Sequence, residues 1–200
     1  MLNNTFKIVY LIGLILASVI RGYYTFRHRS KDYKINRDTL IDSLFLRGIG
    51  LVMILPFIYI FSSWLDFADY SLPDWTGWTG TFIFICFCIL LWRSHADLGK
   101  HWTATLAIRP GHRLQTKGIF SYIRHPMYAA HILWGIAQIL MLHNWIVGYS
   151  FFVAVISHYL YRVGKEEQMM LDEFGEDYRK YMDSSGRIFP RIKRDQQHNQ

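Results

Sequence analysis

Five apolar runs alternate with polar connections along the chain. Residues Phe6 to Tyr24 are apolar apart from Lys7, Ser18 and Arg21, and Leu44 to Trp64 repeats the pattern with Arg47 near its start and Pro56 inside. Gly77 to Trp92 forms a third run edged by Trp75, Trp78 and Trp92, the residues favoured at a membrane interface. Met127 to Leu142 and Trp145 to Tyr161 complete the set. Runs of this length read as spans, so the expected fold is all-α: a polytopic membrane bundle of about five transmembrane helices. No small-residue cleavage site follows the first run, which favours a span over a removed leader. Only His143-Asn144 separates the last two runs, which predicts a tight antiparallel helical hairpin.

The connections differ in charge. The first carries Arg21, Arg27, Arg29, Lys31, Lys34, Arg37 and Arg47, whereas Leu65 to Thr76 has Asp66, Asp69 and Asp74 and no Lys or Arg. The third carries Arg93, Lys100, Arg109, Arg113, Lys117 and Arg124. By the positive-inside rule the first and third connections and the C-terminal tail are cytoplasmic. The third connection has a Pro110-Gly111 turn between short alternating stretches, Trp102 to Arg109 and His112 to Thr116, and is expected to form a hairpin or an ordered binding loop. In the tail, Met169, Met170, Phe174, Tyr178 and Tyr181 recur at helical spacing, which predicts an amphipathic helix over Lys165 to Met182. The chain thus divides into N-terminal spans (1–93), a core of loop, hairpin and tail helix (94–190), and a disordered end (191–200).

Composition agrees: 52% hydrophobic and 17% aromatic residues are too many for an ordinary soluble domain. The net charge of +7 is spread between apolar runs and forms no stripe, which argues against nucleic-acid binding. Cys86 and Cys88 face different sides of one helix, so neither a disulfide scaffold nor a metal site is expected.

Candidate chemistry collects on the basic side. Pro126 favours a helix start, so Arg124 and His125 stand where free N–H groups and the positive end of the helix dipole point; this suits an anion or a headgroup anchor. Arg162 and Glu166 share a helix face, either as a local ion pair or as ionisable groups facing a polar cavity. The hairpin brings both clusters to one rim, assembling Arg124, His125, His112, Arg162 and Glu166 into a pocket. Cationic groups for a carboxylate and an acid for an ammonium suit an amino-acid zwitterion such as that of S-adenosylmethionine; a lipid headgroup also fits.

The stretch from His112 through Gly118, Phe120 and Arg124-His125-Pro126 to Tyr128 resembles the signature of the isoprenylcysteine carboxyl methyltransferase family. The match continues through Arg162, Glu166-Glu167, Phe174-Gly175, Tyr178, Tyr181, Arg187 and Pro190, with Leu98-Gly99 and Trp102 upstream. The resemblance covers about half the chain. It implies a five-span bundle holding S-adenosylmethionine at its cytoplasmic end, with a lateral opening for a lipophilic or prenylated acceptor. By the same resemblance His112, Arg113, Leu114, Gln115, Phe120, Arg124, His125, Pro126, Met127 and Tyr128 are cofactor-pocket residues. Glu166 becomes the partner of the cofactor's amino group, and Arg162 the catalytic residue that positions the acceptor carboxylate. Ala130 departs from a frequent family Gly.

A carboxylate acceptor needs no base; an amine or thiol would need one from His125, His131 or Glu167. Two rivals stand. Membrane sterol reductases, which use NADPH, share an Arg-x-Pro-x-Tyr motif and a similar tail, but commonly carry Asn where this chain has Met127. A non-enzymatic lipid-binding module explains the spans, but leaves Arg162 with Glu166 unexplained.

Overall fold

The computed structural model describes residues 2–28, 34–99, 107–108, 110–111 and 113–191. Its helices are α1 (Leu2–Arg27), α2 (Leu40–Val52), α3 (Leu55–Phe61), α4 (Asp74–Leu98), α5 (Pro126–Leu142) and α6 (Trp145–Ser184). The protein is an all-α helical membrane protein. Among the described residues four helical segments are long and apolar enough to cross a membrane: Asn4–Arg27, Leu40–Phe61, Asp74–Leu98 and Trp145–Ser184. The fourth apolar run differs from expectation: α5 has 17 residues, about 26 Å at 1.5 Å per residue, a little short of a full hydrocarbon core.

The core forms where one stripe of each helix turns inward. Phe6, Tyr10 and Leu14 of α1, Phe84, Phe87 and Leu91 of α4, Trp134 and Met141 of α5, and Phe151 and Val155 of α6 are buried together. The opposite faces carry exposed Ile8, Ile12, Phe82, Ile85, Val153 and Leu160, an inversion that lipid tolerates and water does not. A polar chain crosses this core: Trp134 Nε1 donates to Tyr10 Oη at 3.0 Å, Tyr10 donates to Gln138 at 2.6 Å, and Gln138 Nε2 donates to the Val147 carbonyl at 2.6 Å. It ties α1, α5 and α6 where apolar packing alone discriminates poorly between registers.

The hairpin of α5 and α6 follows from two residues. His143 takes left-handed backbone (φ 39°), ending α5, and the Asn144 side chain accepts from the N–H groups of Ile146 and Val147 at 3.1 and 3.0 Å, starting α6. Gly135 lets the two helices close: a Cβ there would stand 2.8 Å from Phe152 Cα.

Three expectations are corrected. The second apolar run begins earlier than Leu44, because Thr39 and Asp42 form a capping box at the start of α2, and it breaks between α2 and α3 ahead of Pro56, which has no N–H to continue the helix. The tail helix starts as a continuation of the last span: α6 runs unbroken from Trp145 to Phe174, about 45 Å, and resumes as far as Ser184 after a kink at Gly175 (φ 52°). Among the described residues the third connection forms no hairpin with itself. Its strand β2 (Ala107–Ile108) pairs antiparallel with β1 (Ile35–Asn36) of the first connection, while 113–116 are irregular. The stretch 101–106, His112 and the tail from 192 lie outside the described residues.

Candidate active site

One corner of the molecule is built around Glu167. Its carboxylate accepts from Arg124 Nε at 2.9 Å, from Arg187 Nε at 3.0 Å and from Arg187 Nη2, and lies 3.2 Å from His125 Nε2. The backbone brings these groups together. Arg124 N–H donates to the Gly186 carbonyl at 2.8 Å and His125 N–H to the Arg187 carbonyl at 2.9 Å, so the chain leaving α6 is laid beside the start of α5. Arg124 also donates from Nη1 to the carbonyl oxygens of Ser185 and Met182 at 2.5 and 3.3 Å. The hydrogen bonds from Arg187 to Glu167 hold that guanidinium's pKa above its ordinary value. A carboxylate gripped by this many donors is fixed as an anion. Glu167, a candidate base for an amine or thiol acceptor, is therefore unsuited to that role.

The neighbouring Glu166 stands in different surroundings. It faces a cavity of about 430 Å³, a size usual for small-molecule sites. Tyr128 Oη donates to its Oε2 at 3.1 Å, Arg162 Nε lies 3.9 Å from the same oxygen, and His125 Nδ1 is 4.0 Å from Oε1. Of the residues singled out in the sequence, Arg124, His125, Pro126, Met127 and Tyr128 line this cavity from the start of α5, and Arg162 and Glu166 line it from α6. Leu114, Gln115 and Phe120 line it from the third connection. Arg113 is exposed and is not among the lining residues, and His112 is outside the described part of the chain.

Local chemistry explains how the third connection reaches this position. Gly118 has φ 65°, and a Cβ on it would fall 2.2 Å from Asp97 Oδ2. That oxygen accepts from the Ile119 N–H at 2.8 Å, while Arg93 pairs with Asp97 at 2.9 Å. The motif glycine therefore lets the loop dock on the end of α4, and the following turn delivers Phe120 into the wall. Tyr181 Oη donates to the Phe120 carbonyl at 2.7 Å, closing the loop against the far end of α6.

The cavity has further polar groups that the sequence reading left out. His158 lies one turn before Arg162, and Arg21 and His95 line the side formed by α1 and α4. His131, a candidate base for an amine or thiol acceptor, is bonded through Nδ1 to the Met127 carbonyl at 2.7 Å and lines the cavity as well. Asp42, buried beside this site on α2, fell just outside the apolar run taken as a span. The pattern Thr39-x-x-Asp42, a capping box in the structure, is the signal that could have placed it inside a helix.

In chemical terms the cavity joins a carboxylate held by a phenol, a buried guanidinium, the positive end of α5 and apolar walls that include Met169 and Met170. Such a donor set fits S-adenosylmethionine, whose ammonium, carboxylate and adenine require an acid, donors and apolar surface. It offers the described residues no cluster suited to a metal ion.

Residues 79–172 match the isoprenylcysteine carboxyl methyltransferase (ICMT) family. The chain is 26% identical over 145 residues to protein-S-isoprenylcysteine O-methyltransferase B of Arabidopsis thaliana, covering 72% of this chain and 74% of that enzyme. It is 30% identical over 128 residues to the steroid 5-alpha-reductase DET2 of Solanum lycopersicum, covering 61% of this chain and 47% of that protein. Among solved structures, the eukaryotic intramembrane Ras methyltransferase ICMT superposes with a TM-score of 0.53 at 19% identity, over 92% of this chain and 62% of that one. The last comparison speaks for the fold.

Proposed function

The chain belongs to the isoprenylcysteine carboxyl methyltransferase family of membrane methyltransferases, and from that premise we propose that its cavity binds S-adenosylmethionine and presents it to the carboxylate of a lipophilic, isoprenylcysteine-like acceptor. The observation that carries this reading is Glu166, a carboxylate turned into the cavity and held there by Tyr128, one residue from a carboxylate wholly engaged elsewhere. When bound, the cofactor supplies an electrophilic methyl group on a sulfonium sulfur.

The protein's part is binding and orientation. Glu166 takes the cofactor's ammonium. The donors at the start of α5, with His125, take its carboxylate. Leu114, Gln115 and Phe120 cover it, with Met127, Tyr128 and the methionines of α6 as apolar walls. Arg124, committed to Glu167 and two carbonyl groups, holds the wall in place. Arg162 holds one oxygen of the acceptor carboxylate, leaving the other to attack. That carboxylate is ionised near neutral pH, so no base is needed and positioning supplies most of the rate. Exclusion of water at membrane depth keeps the nucleophile poorly solvated. The basic first and third connections orient this end of the bundle toward the cytoplasm.

The test is methyl transfer in membranes containing the full chain, with methyl-labelled S-adenosylmethionine and N-acetyl-S-farnesylcysteine. The expected product carries label that partitions into organic solvent and is released by mild base, as a methyl ester is. Absence of base-labile label, together with NADPH binding, would overturn the reading in favour of a reductase.

A further inference from the structure

Where α2 meets α6, three buried polar atoms have no hydrogen-bond partner among the described residues: Asp42 Oδ1, His158 Nδ1 and Arg162 Nε. Their residues are 0%, 7% and 5% exposed. His158 and Arg162 line the cavity, one helical turn apart. Asp42 lies at their side because α2 is docked on α6: the Phe45 ring stacks on Tyr161 at 5.0 Å and meets His158 at 5.6 Å, and the Thr39 and Tyr161 hydroxyls are 3.3 Å apart. In that position Asp42 is within electrostatic reach of Arg162, Lys165, His158 and Tyr128.

Capping explains only half of this carboxylate. Oδ2 accepts from Thr39 N–H at 2.9 Å and from its hydroxyl at 2.5 Å, which satisfies the start of α2. Oδ1 takes no part, and burying it without a donor is costly. An amide at this position would cap equally well without the charge. What the charge adds is a second acid within electrostatic reach of Arg162, and it comes from a segment that precedes the family match at 79–172.

Resting on the methyltransferase reading above, we propose that Asp42 is a positioning residue for the acceptor: it opposes the charge of Arg162, so that the guanidinium orients the incoming carboxylate without quenching it. Binding energy realised equally in ground and transition states does not raise kcat, and a carboxylate fully paired to a desolvated guanidinium is a poorer nucleophile. Asp42 therefore trades acceptor affinity for turnover.

The experiment uses the full chain in detergent, loaded with S-adenosylhomocysteine and titrated with S-farnesylthioacetic acid, a prenyl thioether carboxylate, beside kinetics with N-acetyl-S-farnesylcysteine. Asp42→Asn is expected to bind the carboxylate about tenfold tighter, with KM and kcat both about tenfold lower and homocysteine-nucleoside affinity unchanged. Thr39→Ala, which removes the hydroxyl's cap contacts and leaves the charge and the backbone N–H bond to it, is expected to move none of these beyond about twofold; Asp42→Ser, which keeps a capping hydroxyl, replaces the Asn variant if that does not fold. Unchanged or weaker carboxylate affinity in the Asp42 variants, or the same change in Thr39→Ala, overturns the proposal in favour of capping alone. Failure of the carboxylate to bind any loaded protein overturns this acceptor subsite while leaving the methyltransferase reading in place, and failure of S-adenosylhomocysteine to bind overturns both.

Discussion

Glu166 and Glu167 are adjacent in sequence and opposite in circumstance. Glu167 faces the corner where the tail returns to the start of α5 and is held by Arg124, Arg187 and His125. Glu166, about 100° around the same helix, faces the cavity with a phenol and a more distant guanidinium for company. The difference teaches how one helix serves two ends: the satisfied carboxylate fixes the geometry, and the undersatisfied one is available to a ligand. A motif that reads as a pair of acids is a division of labour between framework and site.

The sharpest way to break that comparison is to remove the framework acid. Glu167→Ala leaves Arg124 buried without its counter-charge, and loss of one partner of a buried pair costs about 3–5 kcal/mol; thermal unfolding in detergent should show the largest drop of any substitution discussed, with ligand binding lost alongside. Glu166→Ala should do the reverse. Its melting temperature should stay near that of the parent protein, while S-adenosylhomocysteine affinity falls by about 1.5–3 kcal/mol, or roughly 10- to 150-fold, the worth of a hydrogen bond to a charged group. Arg187→Ala removes a half-exposed arm of the framework while Arg124 remains, so unfolding should shift by only about 1 kcal/mol. Tyr128→Phe deletes the hydroxyl that holds Glu166, and nucleoside affinity should weaken by about 1 kcal/mol, near fivefold, with little change in melting.

The hydrophobic pattern was a reliable guide to the helices because a membrane demands one answer from an apolar run: all backbone groups paired within a helix. It was a poor guide to where they stop. The periodicity of the tail is that of a surface helix, yet Gly164, the stop signal between Tyr161 and Lys165, does not end the helix, and α6 continues to the kink at Gly175. The pairing of 35–36 with 107–108 joins two connections far apart in sequence, which local pattern cannot reveal. For the site, the hairpin argument put the start of α5 and the middle of α6 at one rim, and the structure brings Tyr128, Arg162 and Glu166 to one cavity there. What pattern could not assign was which acid would be spent on the framework, since that depends on where the tail's Arg187 returns. Asp42 was missed for a related reason: an acid flanking an apolar run is taken for its boundary, whereas the capping box draws it into the helix.

The central claim is that the cavity holds S-adenosylmethionine through Glu166. Calorimetry of the detergent-purified protein with S-adenosylhomocysteine and, separately, with NADPH, each repeated on Glu166→Ala, tests it most directly. The account predicts binding of the homocysteine nucleoside that is weakened roughly 10- to 150-fold in the variant, and no binding of NADPH. Binding of NADPH alone, or nucleoside binding indifferent to Glu166, would contradict it.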